Sequence, residues 1–176
     1  MRTTSVTRTP KFSRSPVRDD FAKLPSATLV NIRPATINDL PAVMLIERQT
    51  ASAAHWSEAE YAALFGNGSL RHCLVVEDDQ SVLGFLVARG VGSEWEIENV
   101  AVDASEVRQG IGSQLVQRLL TQARARGGEA VFLEVRESNQ AARSLYEKCG
   151  FSPAGRRKAY YVNPIEDAVL YRFSLR

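Results

Sequence analysis

Apolar side chains recur at spacings of three and four at Ile111, Leu115, Val116, Leu119, Leu120 and Ala123, which places them on one face of an α-helix. Before this helix, three strand-like runs cover Arg71 to Glu77, Val82 to Ala88 and Trp95 to Val102. Asp78-Asp79-Gln80 between the first two reads as a hairpin turn, and Gly90-Val91-Gly92-Ser93 carries two glycines between the second pair. Gly127-Gly128 stops the long helix, and Ala130-Val131-Phe132-Leu133-Glu134-Val135 predicts a buried strand returning beside the third run. Nearer the start, Thr28 to Ile32 predicts a strand, and Thr36 caps a helix running through Leu40, Val43, Met44, Ile46 and Glu47. Ser57 is a natural N-cap for a further helix, with Glu60 three residues on as its capping-box partner. A short helix from Gln140 to Lys148 ends at Gly150, and two last strands cover roughly Arg157 to Val162 and Asp167 to Leu175. The order β-α-α-β-β-β-α-β-α-β-β predicts an α/β domain, a mixed central sheet with helices on both faces. No internal repeat interrupts it.

The junction between the third strand and the long helix carries the first candidate chemistry. Asn99-Val100-Ala101-Val102-Asp103 stops at a loop containing Val107-Arg108-Gln109-Gly110-Ile111-Gly112-Ser113, and the helix begins at once. Glycine lets a backbone approach a ligand closely, and the first four N–H groups of a helix lack internal partners. The helix dipole favours an anion there, and a pyrophosphate suits it. A dinucleotide fingerprint needs a third glycine where this chain has Leu115, and the Gly-Lys-Ser/Thr of a Walker loop is absent. Ordinary turn and cap chemistry is the competing reading of a lone Gly-x-Gly.

Composition narrows the field. The 176 residues, 44% hydrophobic and 24% charged, suit one soluble globular domain. No apolar run approaches the ~18–20 residues that span a bilayer, so no membrane is expected as a partner. Cys73 and Cys149 are the only cysteines and favour a reducing compartment, hence a cytoplasmic location, with both packed as small apolar side chains. His55 and His72 are the only histidines, without ligand spacing, so no metal is expected. The net charge of +2 is uneven. Residues 1–20 hold Arg2, Arg8, Lys11, Arg14 and Arg18 against Asp19 and Asp20, a balance of +3, which leaves 17 basic against 18 acidic groups in the rest. The domain therefore lacks the basic excess of a nucleic-acid-binding surface. Residues 1–26, rich in Ser, Thr, Arg and Pro, are expected to form a disordered extension before a domain spanning 27–176, and they also resemble an organelle transit peptide.

A second constellation runs from Leu133 to Phe151: Leu133-Glu134-Val135-Arg136, then Asn139, Ala142, Leu145-Tyr146 and Gly150-Phe151. Together with Asn-Val-Ala-Val-Asp and Arg-Gln-Gly-Ile-Gly upstream, it resembles the GNAT acetyltransferase superfamily. The segment is similar to the signature Leu-Glu-Val-Arg-x-x-Asn-x-x-Ala-x-x-Leu-Tyr-x-x-x-Gly-Phe of its RimI-type N-terminal acetyltransferases. The glycine loop resembles the superfamily's Gln/Arg-x-x-Gly-x-Gly/Ala motif, except that the first position falls on Val107 with Arg108 displaced by one. Further matches are His55-Trp56-Ser57, Arg156-Arg157-Lys158-Ala159-Tyr160-Tyr161 and Glu166-Asp167-Ala168, so the resemblance covers about residues 28–176.

The resemblance implies direct acetyl transfer from acetyl-CoA to an amine. Its acceptor would be a protein N-terminal α-amine, typically the N-terminal alanine of a small-subunit ribosomal protein. It implies that Arg108, Gln109, Gly110, Ile111, Gly112 and Ser113 hold the pyrophosphate, that Val100, Ala101 and Val102 offer main-chain groups to the acetyl and pantetheine portions, and that Asn139 contacts the CoA arm. In the residues themselves, Asn139 is also a natural cap for the helix at Gln140. Glu134 is the implied proton acceptor, by way of water, and its place in an apolar strand fits a base. Pairing with Arg136 or a neighbouring strand is the plainer alternative. Tyr146 is the implied acid toward the departing thiolate, or a core aromatic against Phe151. Glu96 and Glu98 are candidates for base or amine recognition, although strand carboxylates commonly face solvent. Trp56, Tyr160 and Tyr161 are candidates to wall an acceptor groove, although edge-strand aromatics commonly pack. Lysine side chains or a small amine remain alternative acceptors, and a non-catalytic acyl-CoA-binding module is the alternative of another class.

Overall fold

The computed structural model describes residues 30–50, 53–66, 68–79 and 81–176. Seven strands form one mixed sheet: β1 (Asn31–Pro34), β2 (Arg71–Glu77), β3 (Val82–Val91), β4 (Glu94–Val102), β5 (Ala130–Arg136), β6 (Ser152–Val162) and β7 (Ile165–Ser174). Their spatial order is β1-β2-β3-β4-β5-β7-β6. Neighbours are antiparallel except β4 and β5, which run parallel because α3 (Ile111–Ala125) crosses between them. The other helices are α1 (Leu40–Gln49), α2 (Glu58–Ala62) and α4 (Gln140–Lys148).

Two apolar clusters confirm the expectation of helices on both faces. On one face, Leu115, Leu119 and Ala123 of α3 and Tyr146 and Cys149 at α4 meet Leu74, Leu86, Ile97, Val131 and Leu133. On the other, Val43 and Ile46 of α1 and Tyr61 of α2 meet Val75, Phe85, Val87 and Ala101. No helix among the described residues is long and apolar enough to cross a membrane.

Several boundaries differ from the sequence reading. The first strand is Asn31–Pro34 instead of Thr28–Ile32; residues 28 and 29 lie outside the described residues, as do the 1–26 segment and Gln80. Here register follows charge: Arg33 reaches both Glu77 of β2 and Asp39, and the proline is tolerated at the end of an edge strand. Thr36 forms its capping box with Asp39 on a one-turn 3-10 helix, Ile37–Asp39, that leads into α1. β6 begins at Ser152, five residues before the expected Arg157, because its irregularities at Pro153–Gly155 and Arg157–Tyr161 mask the alternation.

Candidate active site

β4 and β5 pair only between Glu94–Ile97 and Ala130–Leu133, then separate. A cavity of about 750 Å³ fills the gap. Its walls are the segment 53–56 with Glu60 and Arg71, the β4 stretch from Glu96 to Val100, Glu134 to Arg136 of β5, Asn139, Ala142 and Tyr146 at α4, and Tyr160, Tyr161 and Asn163 of the β6–β7 hairpin. The structure thus brings together Trp56, Glu96, Glu98, Val100, Glu134, Asn139, Tyr146, Tyr160 and Tyr161 from elements distant in sequence.

The loop before α3 has the shape its glycines suggested. Gly110 is the N-cap of α3 at φ 84°, where L side chains are disfavoured, and Arg108 before it also has positive φ at 66°. No side chain caps α3, and its first turn carries no acidic residue. By contrast, α2 and α4 are capped by Ser57 and Asn139. The α3 ladder begins with the Gln114 N–H donating to Gly110, which leaves the amides of Ile111, Gly112 and Ser113 to the loop side. Two side chains in this stretch are otherwise engaged: Gln109 donates to Glu106, and Ile111 is buried. Gly112 also has a packing task, since a Cβ there would lie 3.3 Å from Leu145 Cδ2.

One correction concerns the β4 edge. The Asp103 N–H donates to Leu83 of β3, so by strand alternation the peptide groups of Ala101 also turn toward β3. Its side chain is buried among Val75, Phe85 and Val87. Ala101 therefore presents nothing to the cavity. Val100 and Val102 are the residues whose peptide groups face the open edge.

Glu134 pairs with Arg157 Nη1 at 3.0 Å, and its nearby carboxylate, with burial, pushes the Tyr160 phenol above its ordinary value. Arg157 reaches Glu134 from β6, across β7, and lies over the Tyr160 ring at 5.4 Å. The expected neighbour Arg136 turns elsewhere, to Glu166 and the hairpin carbonyl of Asn163, and stacks on Tyr161 at 4.1 Å. Glu96 and Glu134 share a face. Glu96 is in register with Phe132, two residues before Glu134, and side chains two apart point the same way. Burial, followed by the charges of Glu98 and Glu134, pushes the Glu96 carboxyl above its ordinary value. Glu98 is held by a residue of β2: it is bound by Arg71 at 2.6 and 3.0 Å, and Arg71 lies over the Trp56 ring at 5.1 Å.

Tyr146 stands between the cavity and the core. It lines the cavity, yet its ring packs edge-on against Phe151 at 5.8 Å and it is only 7% exposed. Burial pushes its phenol well above the usual value, so it carries its proton throughout the neutral range. Asn139 Oδ1 accepts from the Ala142 N–H as an N-cap while lining the cavity.

Sequence reasoning missed Arg157 as the partner of Glu134, Arg71 as the partner of Glu98, and the buried trio Glu47, Asn99 and Tyr61. Arg157 sits within a quoted motif, but its approach to Glu134 depends on sheet order.

A model of the acetyltransferase (GNAT) family matches residues 40–151. The chain belongs to this family. Curated relatives include the enzymes named [ribosomal protein bS18]-alanine N-acetyltransferase of Salmonella typhimurium and of Escherichia coli K12. The former is 38% identical over 135 residues, covering 75% of this chain and 88% of the relative. The latter is 38% identical over 134 residues, with the same coverage. Among solved structures, the ribosomal-protein-S18-alanine N-acetyltransferase from Escherichia coli superposes with a TM-score of 0.74 at 32% identity, covering 84% of this chain and 94% of that one.

Proposed function

We propose that this GNAT enzyme moves an acetyl group from acetyl-CoA to the α-amine of a protein N-terminus, the N-terminal alanine of a small-subunit ribosomal protein being the favoured acceptor. The single observation that carries the reading is the meeting of Glu134 and Tyr146 in one cleft between parting strands, beside β4, the strand that leads into the uncapped start of α3. The acceptor is supported by the printed names of relatives at 38% identity.

The donor side fits acetyl-CoA, which supplies an acetyl group on a thioester. Amides at the start of α3, with Arg108 beside them, would hold the pyrophosphate; the absence of an acid in that turn favours an anion. Val100 and Val102 would bind the pantetheine arm and the carbonyl oxygen through peptide groups on the open β4 edge, where a fixed N–H stabilises developing charge. Glu134 would take the proton of the attacking amine by way of water, and Glu96, beside it on the same face, would attract the ammonium form. Tyr146, protonated and dry, would donate to the departing sulfur. Trp56, Glu98, Tyr160 and Tyr161 would flank the acceptor, and the basic residues 1–20 would draw the enzyme to an anionic ribosome.

Glu134→Gln is expected to lower kcat by about two orders of magnitude while leaving acetyl-CoA affinity nearly unchanged. Tyr146→Phe should show the same pattern. Full turnover in either variant would remove that residue from its role.

A further inference from the structure

The acceptor-side wall is held by a buried polar cluster outside the chemistry above. Glu47 on α1 is 3% exposed, Asn99 on β4 is 5% exposed, and Tyr61 on α2 is fully buried. Asn99 Nδ2 donates to Glu47 Oε1 at 3.0 Å and to the Tyr61 hydroxyl oxygen at 2.9 Å. The same Glu47 oxygen accepts the backbone N–H of Trp56 at 3.0 Å, and Asn99 Oδ1 accepts that of Ala54 at 3.4 Å. Two amides of the segment 53–56 are thus fixed by side chains of α1 and β4. Buried polar groups are costly unless bonded, so such a cluster selects one arrangement of the segment.

A bulge makes the cluster possible. β3 pairs Val87 with Asn99 but Ala88 with Ile97, so Glu98 is an extra residue in β4. Trp95 and Ile97 point into the face covered by α3 and α4. Without the bulge Asn99 would follow them; with it, Asn99 turns to the opposite face, where α1 and α2 pack. The loop before α3 and the uncapped start of that helix stand on the other side of the sheet.

We propose that Asn99 and Glu47 are positioning residues, a latch that sets the 53–56 wall against β4 and so governs binding of the acceptor without governing binding of acetyl-CoA. The acceptor class is a chain end with a free amine, and this part rests on the proposed function. Trp56, its ring tilted against Tyr61 at 5.4 Å and lying under Arg71, is the side chain the latch presents to the cavity.

The test combines initial-rate kinetics on a peptide with an N-terminal alanine, calorimetric titration with acetyl-CoA, and hydrogen exchange at the Trp56 amide. Asn99→Ala is expected to raise KM for the peptide about tenfold, leave the acetyl-CoA Kd within about twofold, and speed Trp56 amide exchange. Glu47→Gln keeps an acceptor oxygen for both donors and should retain the wild-type KM. If Asn99→Ala does not fold, Tyr61→Phe, which removes one bond and keeps the ring, should raise KM two- to threefold on the same pattern. An unchanged KM in the folded variant, a parallel rise in acetyl-CoA Kd, or an unaltered Trp56 exchange rate overturns the latch. A wild-type protein that acetylates no amine overturns the proposed function instead, and amide exchange still decides the latch.

Discussion

Gly110 and Gly112 are two positions apart and demand glycine for different reasons. At Gly110 nothing lies within 4 Å of the place a Cβ would occupy, so alanine there meets only backbone strain at φ 84°. Gly110→Ala should cost about 1 kcal/mol in denaturant unfolding and weaken acetyl-CoA binding as the loop relaxes. Gly112→Ala instead presses on the movable Leu145 side chain and should disturb packing between α3 and α4. The sequence announces both glycines but not this division. The same holds for Glu134: alternation assigns its face and its place in an apolar strand, while its partner Arg157 is brought by a strand two places away in the sheet. Ala101 was misjudged for a related reason, since a motif does not say which edge a peptide group faces.

Elements with local chemistry were legible, and those whose geometry depends on partners were not. Ser57 and Glu60 form their capping box as read, and Gln140–Lys148 is the helix expected. The β4 bulge escaped because a period-two pattern hides one inserted residue, and its consequence is the inward turn of Asn99. The junction of β1 and α1 offers a measurable case. The Arg33 guanidinium, aided by Thr36, outweighs burial and holds the Asp39 carboxyl at about 2, below its usual 3.8. A carboxyl whose folded value is depressed stabilises above its unfolded value and loses that contribution as pH falls through the folded one. Asp39→Asn should therefore destabilise by about 1–2 kcal/mol at neutral pH. Thermal melts of the two proteins should converge as pH drops from about 4 toward 2; a gap independent of pH would contradict the ion-pair account.

On the scale of the whole molecule, two apolar clusters place α3 and α4 on one face of the sheet and α1 and α2 on the other; in the proposed reading the first face serves the donor and the second, with the β6–β7 hairpin, the acceptor. The α/β class and the parallel crossover followed from the order of elements. The cavity did not, because it arises where β4 and β5 stop pairing. Charge is unevenly spread, with +3 on residues 1–20, which lie outside the described residues. Deleting residues 1–26 should leave transfer to a free peptide unchanged and slow transfer to a ribosome-borne acceptor at low salt, an effect that fades at moderate salt. Equal rates on ribosomes at both salt concentrations would count against electrostatic recruitment. The most direct test of the central claim is tandem mass spectrometry of a peptide bearing an N-terminal alanine and an internal lysine after incubation with the enzyme and acetyl-CoA. The acetyl group is predicted on the α-nitrogen; acetylation confined to the lysine, or none with acetyl-CoA bound, would contradict it.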